Sequence, residues 1–367
     1  MTSEFSADQA RSITINAQIG ADPAPNPLSV LHSQRLLQLD GLRTVEQSHR
    51  LTCLARLAPS SQLTVDQQLW SRNEPVSFET YTHAACLLPI GNWPLLAAKR
   101  DAAARRPDAP PAGDMDRVLH VVEEAPDGLT MRQIQADQPR TDSWGWTALK
   151  RAAEHLVWRG ELVCSSRLNG QRVYDIATRR VPQALRDQRL QPAEIAAGMV
   201  EAALNALGIA TITDIAVHYH LPVQMVDNGL HLLNRRGGRV DGWDELAYTS
   251  TLADPMPTEA PPRLIGPFDN LLRDRNRARR IFGFHYVLEA YKPAAQRLFG
   301  PYSMAVLHSG RFVGRIDARR QGRDITIRRF FPETDIDPTE FHATATAAAA
   351  RLALQLGGEL IRDETAR

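Results

Sequence analysis

Gln38 and Asp40 stand two apart in the segment Leu37-Gln38-Leu39-Asp40. In an extended strand successive side chains alternate, so the amide and the carboxylate share one face while Leu37 and Leu39 share the other. An amide beside a carboxylate can hold a single water, the carboxylate accepting its proton and the amide orienting it. The same alternation also describes an ordinary solvated strand, so spacing alone assigns no chemistry. Other clusters point away from chemistry. His218 and His220 flank Tyr219, but residues two apart on a helix do not share a face, and we expect no metal there and no cofactor elsewhere. Cys53, Cys86 and Cys164 are far apart with no Cys-x-x-Cys pair, which supports neither a disulfide framework nor a zinc ribbon. Trp144 and Trp146 bracket Gly145 and read as core residues, with base stacking the alternative.

The basic residues are strongly biased. Only Lys99, Lys150 and Lys292 are lysines and the remaining forty are arginines, a ratio that fits a GC-rich coding sequence and names no ligand. Their distribution says more: from Arg263 to Arg329 there are fifteen Lys/Arg against five Asp/Glu, although the whole chain carries only +1. A basic stretch of this kind can neutralise phosphates and steer a polyanion; an internally paired face is the competing reading. Arg273, Arg275, Arg277, Arg279 and Arg280, just ahead of Phe282 and Phe284, are the leading candidates for phosphate contact.

These residues need elements to position them, and 367 residues at 43% hydrophobic suffice for several modules. Ser6 caps a helix over Ala10, Ile13, Ile15 and Ile19; a Pro-rich connector, a short helix at Ser29–Arg35 and a brief strand at Leu36–Asp40 follow. Helical spacing resumes at Val45. A Pro-rich linker at 105–113 closes a first domain (1–104). In the second (114–180), helices at Met115–Glu124, Met131–Ala136 and from Trp146 through Val157 precede two strands around Asn169-Gly170, the helix–helix–helix–hairpin order of a winged helix. Arg167, Asn169 and Gln171 at the hairpin tip are candidate DNA contacts. A third domain (190–252) repeats the order with helices at Ala193–Leu207, Thr213–His218 and Val223–Arg235 and a wing of 236–240 with 245–248. A basic C-terminal unit (263–367) holds strands at Tyr302–Leu307, Arg311–Ile316 and Asp324–Arg329 and a terminal helix, Pro338–Leu356. The expected fold class is α+β: three tandem winged-helix domains and a small C-terminal β unit.

Five segments, in this order, carry a family likeness: Leu37-Gln38-Leu39-Asp40; Val45-Glu46-Gln47-Ser48-His49; Tyr81-Thr82-His83-Ala84-Ala85-Cys86-Leu87-Leu88-Pro89; Gly266-Pro267-Phe268-Asp269-Asn270-Leu271; and Arg279-Arg280-Ile281-Phe282-Gly283-Phe284. Over nearly the whole chain the sequence resembles the winged-helix crosslink-repair DNA glycosylases of the YcaQ/AlkZ type. The family's catalytic pair is glutamine, an apolar residue, then glutamine or aspartate. The aspartate form here is similar to the broader YcaQ type rather than to the specialised antibiotic self-resistance type. The resemblance implies that Gln38 and Asp40 are catalytic, with Glu46, His49 and His83 in support, although packing also accounts for those three.

Alkylation at guanine N7 makes the base a good leaving group, so water and charge stabilisation are what the protein must supply. A lyase would need an amine nucleophile, and none of the three lysines lies in a matching segment. The expectation is therefore a monofunctional, cofactor-free DNA glycosylase acting as a monomer on double-stranded DNA with alkylated or crosslinked bases and leaving abasic sites. The alternative is a non-catalytic winged-helix regulator, which would have no use for a polar pair facing DNA. The polar, acidic N-terminus and the lack of an eighteen-residue apolar run lead to the expectation of a cytoplasmic, nucleoid-associated protein with no membrane contact.

Overall fold

A computed structural model of the chain describes residues 4–59, 65–71, 74–136, 147–168, 170–250 and 260–362. The first helix, Ala7–Gln18, starts at Ser6, whose side chain and that of Gln9 each cap the other's backbone N–H. A second helix, Pro27–Gln34, is capped by Asn26. The catalytic-type segment then forms a two-residue strand, Leu37–Gln38, at the edge of a three-stranded antiparallel sheet whose central strand is Ala85–Pro89 and whose far strand is Ser77–Tyr81. Leu37 pairs with Leu87 and Gln38 with Cys86. The sheet is covered on both sides. Leu36, Cys86, Leu88 and Phe78 face one apolar cluster; Leu37, Leu39 and Leu87 face another with Val30, Cys53 and Leu69. The helix after the strand runs Ser48–Leu54, three residues later than the spacing from Val45 predicts.

Between 112 and 176 the helices Ala112–Glu124, Met131–Ile134 and Ala148–Arg159 enclose their own core of Met115, Val118, Val122, Leu149, Leu156 and Tyr174. The hairpin Leu162–Leu168/Gln171–Ile176 pairs with Leu129–Thr130 through its second strand. Trp144, Trp146 and Asn169 lie outside the described residues.

Helices Pro192–Leu207, Ile212–Tyr219 and Val223–Leu232 come next, but the wing expected after them forms differently. Arg239–Val240 pairs in parallel with Glu4–Phe5, and Ala247–Thr249 pairs with Ile209–Thr211; the two halves of the expected wing share only the Gly238–Ala247 bridge. The reason is apolar burial: Phe5 and Val240 join Ala10, Ile13, Ile209 and Ala247 in one cluster. Gly208 permits the approach of these parts. Its φ is +78°, and a Cβ there would stand 2.5 Å from the Ile13 carbonyl. Leu36, Phe78 and Trp93 also share a core with Met199, Ala203 and Leu207, so the chain before 104 and the helices after 190 bury their apolar faces against each other.

The C-terminal sheet has five strands rather than three, in the order Arg263–Ile265, Met304–His308, Arg311–Gln321, Asp324–Pro332, Leu360–Arg362. The two additional strands are three residues each, too short for a period to register. Helix Pro338–Gln355 covers the sheet through Phe341, Ala345, Ala348, Ala349 and Leu352, its alanines allowing close contact with Val306, Ile316 and Ile325. Val45, Leu51 and Leu54 belong to the same core, and Gln355 Nε2 donates to the Leu54 carbonyl at 2.9 Å. The C-terminal unit thus backs the helix that follows the Gln38–Asp40 segment. Among the described residues no helix is long and apolar enough to cross a membrane.

Candidate active site

Ser48, the first residue of its helix, joins that helix to the strand. Its hydroxyl donates to the Gln38 carbonyl at 2.5 Å and accepts the Asp40 N–H at 3.0 Å. One oxygen of Asp40, Oδ1, accepts the Leu42 N–H at 2.9 Å in a local turn. The carboxylate is half-buried, and its second oxygen bonds to none of the described residues. The backbone at both polar positions is therefore held, and one carboxylate oxygen is left over.

Gln38 is 9% exposed and its Oε1 lies 3.0 Å from His83 Nε2. Strand register makes this contact, since Gln38 faces Cys86 and His83 sits in the turn between the two longer strands. Thr82 Oγ1 is 3.1 Å from His83 Nδ1, and Arg273 NH1 lies 3.3 and 3.2 Å from Nδ1 and Nε2, equidistant from both and so over the ring rather than along one lone pair. Burial first, then the Arg273 charge, pushes His83 down to about 3, so its ring is neutral at neutral pH.

Arg273 is the hub behind the pair. Its Nε donates to Asn270 Oδ1 at 2.9 Å, and its NH2 donates to His218 Nδ1 at 2.9 Å and to the His218 carbonyl at 3.2 Å. Asn270 in turn donates to the carbonyls of Gln34 and Leu36 at 3.1 and 3.2 Å, holding the chain just before the strand. Its neighbour Asp269 forms a buried two-pronged pair with Arg56 at 2.7 and 2.9 Å, and Arg56 also caps the carbonyls of Gln18 and Thr52. The Gly266–Leu271 segment is thus a bracket for the strand. Ser48 and Asn270 carry this geometry and were not singled out from sequence; a serine at a helix start and an asparagine after a Gly-Pro turn were the available signals.

Glu46 and His49 are both buried and stand beside the pair rather than in it. Glu46 pairs with Arg320 and accepts the Gln47 N–H at 2.8 Å. His49 Nε2 is 3.0 Å from Asp66 Oδ1, and its ring meets Trp70 edge-on; burial lowers its pKa against the pull of Asp66.

The expected DNA-contacting residues divide. Arg277 is 3% exposed, pairs with Asp214 at 2.9 Å and donates to the carbonyls of Ile209 and Leu207, so burial removes it from any phosphate-facing set. Arg275 donates to the Pro267 carbonyl at 2.8 Å and stacks on Tyr286. Arg280 pairs with Asp214 and lies over Trp243. Arg167 grips the fully buried Glu79 at 2.8 and 2.7 Å instead of standing free at the hairpin tip. Arg279 and Gln171 are exposed; Asn169 is outside the described residues. Segment Arg275–Phe282 is a helix that sequence reading treated only as a charge cluster, although Asp274 caps its start and Gly283, at φ +66°, its end.

A cleft of about 480 Å³ runs along the chain just past Asp40. Arg43, Glu46 and Gln47 form one wall, Arg167 and Gly170 a second, and Arg320 and Gly322 a third. Two hairpin tips converge there on the segment that follows the polar pair.

Against known proteins, the family model of AlkZ-like DNA glycosylases matches residues 27–356. The solved structure of Streptomyces sahachiroi DNA glycosylase AlkZ is similar with a TM-score of 0.65 at 18% identity, over 98% of this chain and 100% of that one. That likeness speaks to the mixed α+β fold. The match over nearly the whole length decides the family: this chain belongs to the AlkZ-like DNA glycosylases, enzymes of DNA repair.

Proposed function

We propose that the protein hydrolyses the N-glycosidic bond of N7-alkylated purines in duplex DNA, unhooks interstrand crosslinks, and leaves abasic sites. Gln38 and Asp40 hold the attacking water. The oxygen–C1′ bond forms as C1′–N9 breaks, the electron pair leaves with the cationic base and neutralises it, and the water's proton passes to Asp40. Asp40 also stabilises the oxocarbenium-like sugar. The observation that carries this reading is the Ser48 hydroxyl bridging the backbone of both residues while a carboxylate oxygen of Asp40 stays unengaged.

Monofunctional chemistry is supported by the lysines. Lys99 donates to the Tyr219 carbonyl at 2.8 Å, Lys150 to Glu154 at 2.5 Å, and Lys292 to Glu289 at 3.0 Å, so each is engaged away from Gln38 and Asp40. Half-exposure of Asp40 suits a crosslinked base, which cannot swing into a deep pocket. Our reading of the architecture is three winged-helix units (within 1–104, 114–180 and 190–252) and a basic C-terminal unit (263–367) around the duplex, acting as a monomer. Arg279 and Gln171 are retained as DNA contacts, and exposed Arg319 and Arg323 join them.

Release of 7-methylguanine from a defined duplex tests the reading, with binding to undamaged duplex as control. Wild-type release abolished by Asp40→Asn with binding intact is the expected result. Full activity in that variant would remove Asp40 from the chemistry. Binding without release of the small adduct would restrict the enzyme to bulky or crosslinked lesions, which a crosslinked duplex would reveal.

A further inference from the structure

Gln38 has two hydrogen-bonding ends, and which of them meets the water changes the water's orientation. Its Oε1 is turned to His83, and its Nε2 bonds to none of the described residues. The charges around the amide account for this sense. On its inner side lies the Arg273 guanidinium, over the His83 ring; two positions further along the chain, past the end of the strand, stands the half-buried Asp40 carboxylate. An amide dipole between a cation and an anion is most stable with its oxygen toward the cation and its NH2 toward the anion. A neutral imidazole can back that sense: a ring protonated on Nε2 donates to the Gln38 oxygen and leaves Nδ1 as an acceptor beside the Thr82 hydroxyl, which lies 3.1 Å from it and 3.3 Å from Cys86 Sγ.

We propose that Arg273 and His83 are positioning residues that lock the Gln38 amide with oxygen inward and N–H outward, making Gln38 a hydrogen-bond donor to the attacking water. This rests on the reading of Gln38 and Asp40 as the reacting pair. One lone pair of the water then takes the Gln38 N–H, one water proton points to Asp40, and the remaining lone pair is aimed at C1′. The groups that face His83 from neighbouring elements enforce the neutral ring: Arg273 over it, buried His218 beyond Arg273, and His220 and Lys99 farther out are cationic or neutral. Arg273 itself makes no ion pair with a described carboxylate, so its field on the ring and the amide is not cancelled at contact.

Histidine-selective 15N labelling of the full-length protein reads the tautomer directly, with His83→Gln identifying the resonance. A proton on Nε2 and none on Nδ1 is expected in the wild type; a proton on Nδ1 would mean that Gln38 turns its oxygen to the site, and would overturn the proposal. Kinetics supply the second arm. In single-turnover release of 7-methylguanine at saturating protein, His83→Leu should slow the chemical step about a hundredfold, the scale of a displaced reacting group, with duplex affinity unchanged. His83→Gln, whose amide N–H can reach the same oxygen, should recover most of the rate, and Arg273→Met should mix the two His83 tautomers. Wild-type rates in His83→Leu, with Asp40→Asn inactive, would sink this inference alone. Activity in Asp40→Asn would sink the underlying reading instead. Should His83→Leu fail to fold, the wild-type tautomer still decides.

Discussion

The arginines of helix Arg275–Phe282 and those of the hairpin Arg311–Gln321/Asp324–Pro332 belong to one basic stretch of sequence, yet only some of them turn outward. In the helix and the turn before it, Arg273, Arg275, Arg277 and Arg280 turn into the protein, onto histidines, carbonyls, aromatic faces and Asp214, and only Arg279 is exposed without an ion pair to a described residue. In the hairpin, Arg319 and Arg323 are exposed and unpaired among the described residues, while Arg315 is buried against Glu333 and Arg320 reaches Glu46. The difference follows from where each element is covered. Arginines at every second position of a helix are spread around its whole circumference, so some must face the core and find partners there. In the hairpin Arg315 is buried in the covered part of the sheet, whereas Arg319 lies past the bulge at Asp317/Ala318 and Arg323 in the turn between the strands. Local charge counts cannot distinguish the two.

The largest effect should come from the innermost arginine. Arg277→Met leaves buried Asp214 to Arg280 alone and the Ile209 and Leu207 carbonyls without their donor, and loss of one partner of a buried pair costs up to about 3–5 kcal/mol. Denaturant unfolding should show that loss, and Arg280→Met, which removes the more exposed partner of the same carboxylate, should cost less. A variant of unchanged stability but weakened duplex binding would break the comparison by making Arg277 a DNA contact after all.

What could be read from sequence was local. The brief strand before Asp40, which the structure has as Leu37–Gln38, the Ser6 cap, and the helices and hairpin between 112 and 176 all rest on patterns within about twenty residues. The parts that could not be read depend on distant partners. Asn270 holds the strand entry from 236 residues away, Arg56 meets Asp269 across 213, and Val240 pairs with Phe5 rather than with its own wing. No periodicity encodes such contacts. The apolar residues that drive them, Phe5 among them, look like any others.

The hairpin of the second block sharpens the same contrast at intermediate strength. Burial alone would raise the Glu79 carboxyl, but Arg172 and Arg167 override it and hold the group at about 2. A carboxyl whose folded pKa lies below its unfolded value near 4.3 contributes stability that is complete above that value and is lost as pH falls toward 2. An acid titration of unfolding free energy should therefore steepen between about pH 4.5 and 2. Glu79→Gln should flatten that window while lowering stability at neutral pH, since it leaves Arg167 without its buried counter-charge and Arg172 with Glu154 alone. An unchanged acid limb would mean that the tip arginines are not held by Glu79 and are available to DNA.

The smallest effects belong to the outward arginines, and they should appear in binding rather than in stability. Each phosphate neutralised by a side chain releases condensed counterions, so removing one contact lowers the slope of log affinity against log salt by about one. Arg319→Ala and Arg323→Ala should each do this with melting temperature unchanged, because neither side chain is paired with any of the described residues. Arg279→Ala is the discriminating member of the set, since it sits on the helix whose other arginines are structural. If its salt slope falls as theirs does, the helix presents one edge to the duplex and the hairpin is not the sole outward basic surface. If only Arg319→Ala and Arg323→Ala respond, the duplex follows the hairpin tip toward the cleft lined by Arg43 and Glu46, and the helix with the turn before it acts solely from within, through the interior contacts of Arg273 and Arg277.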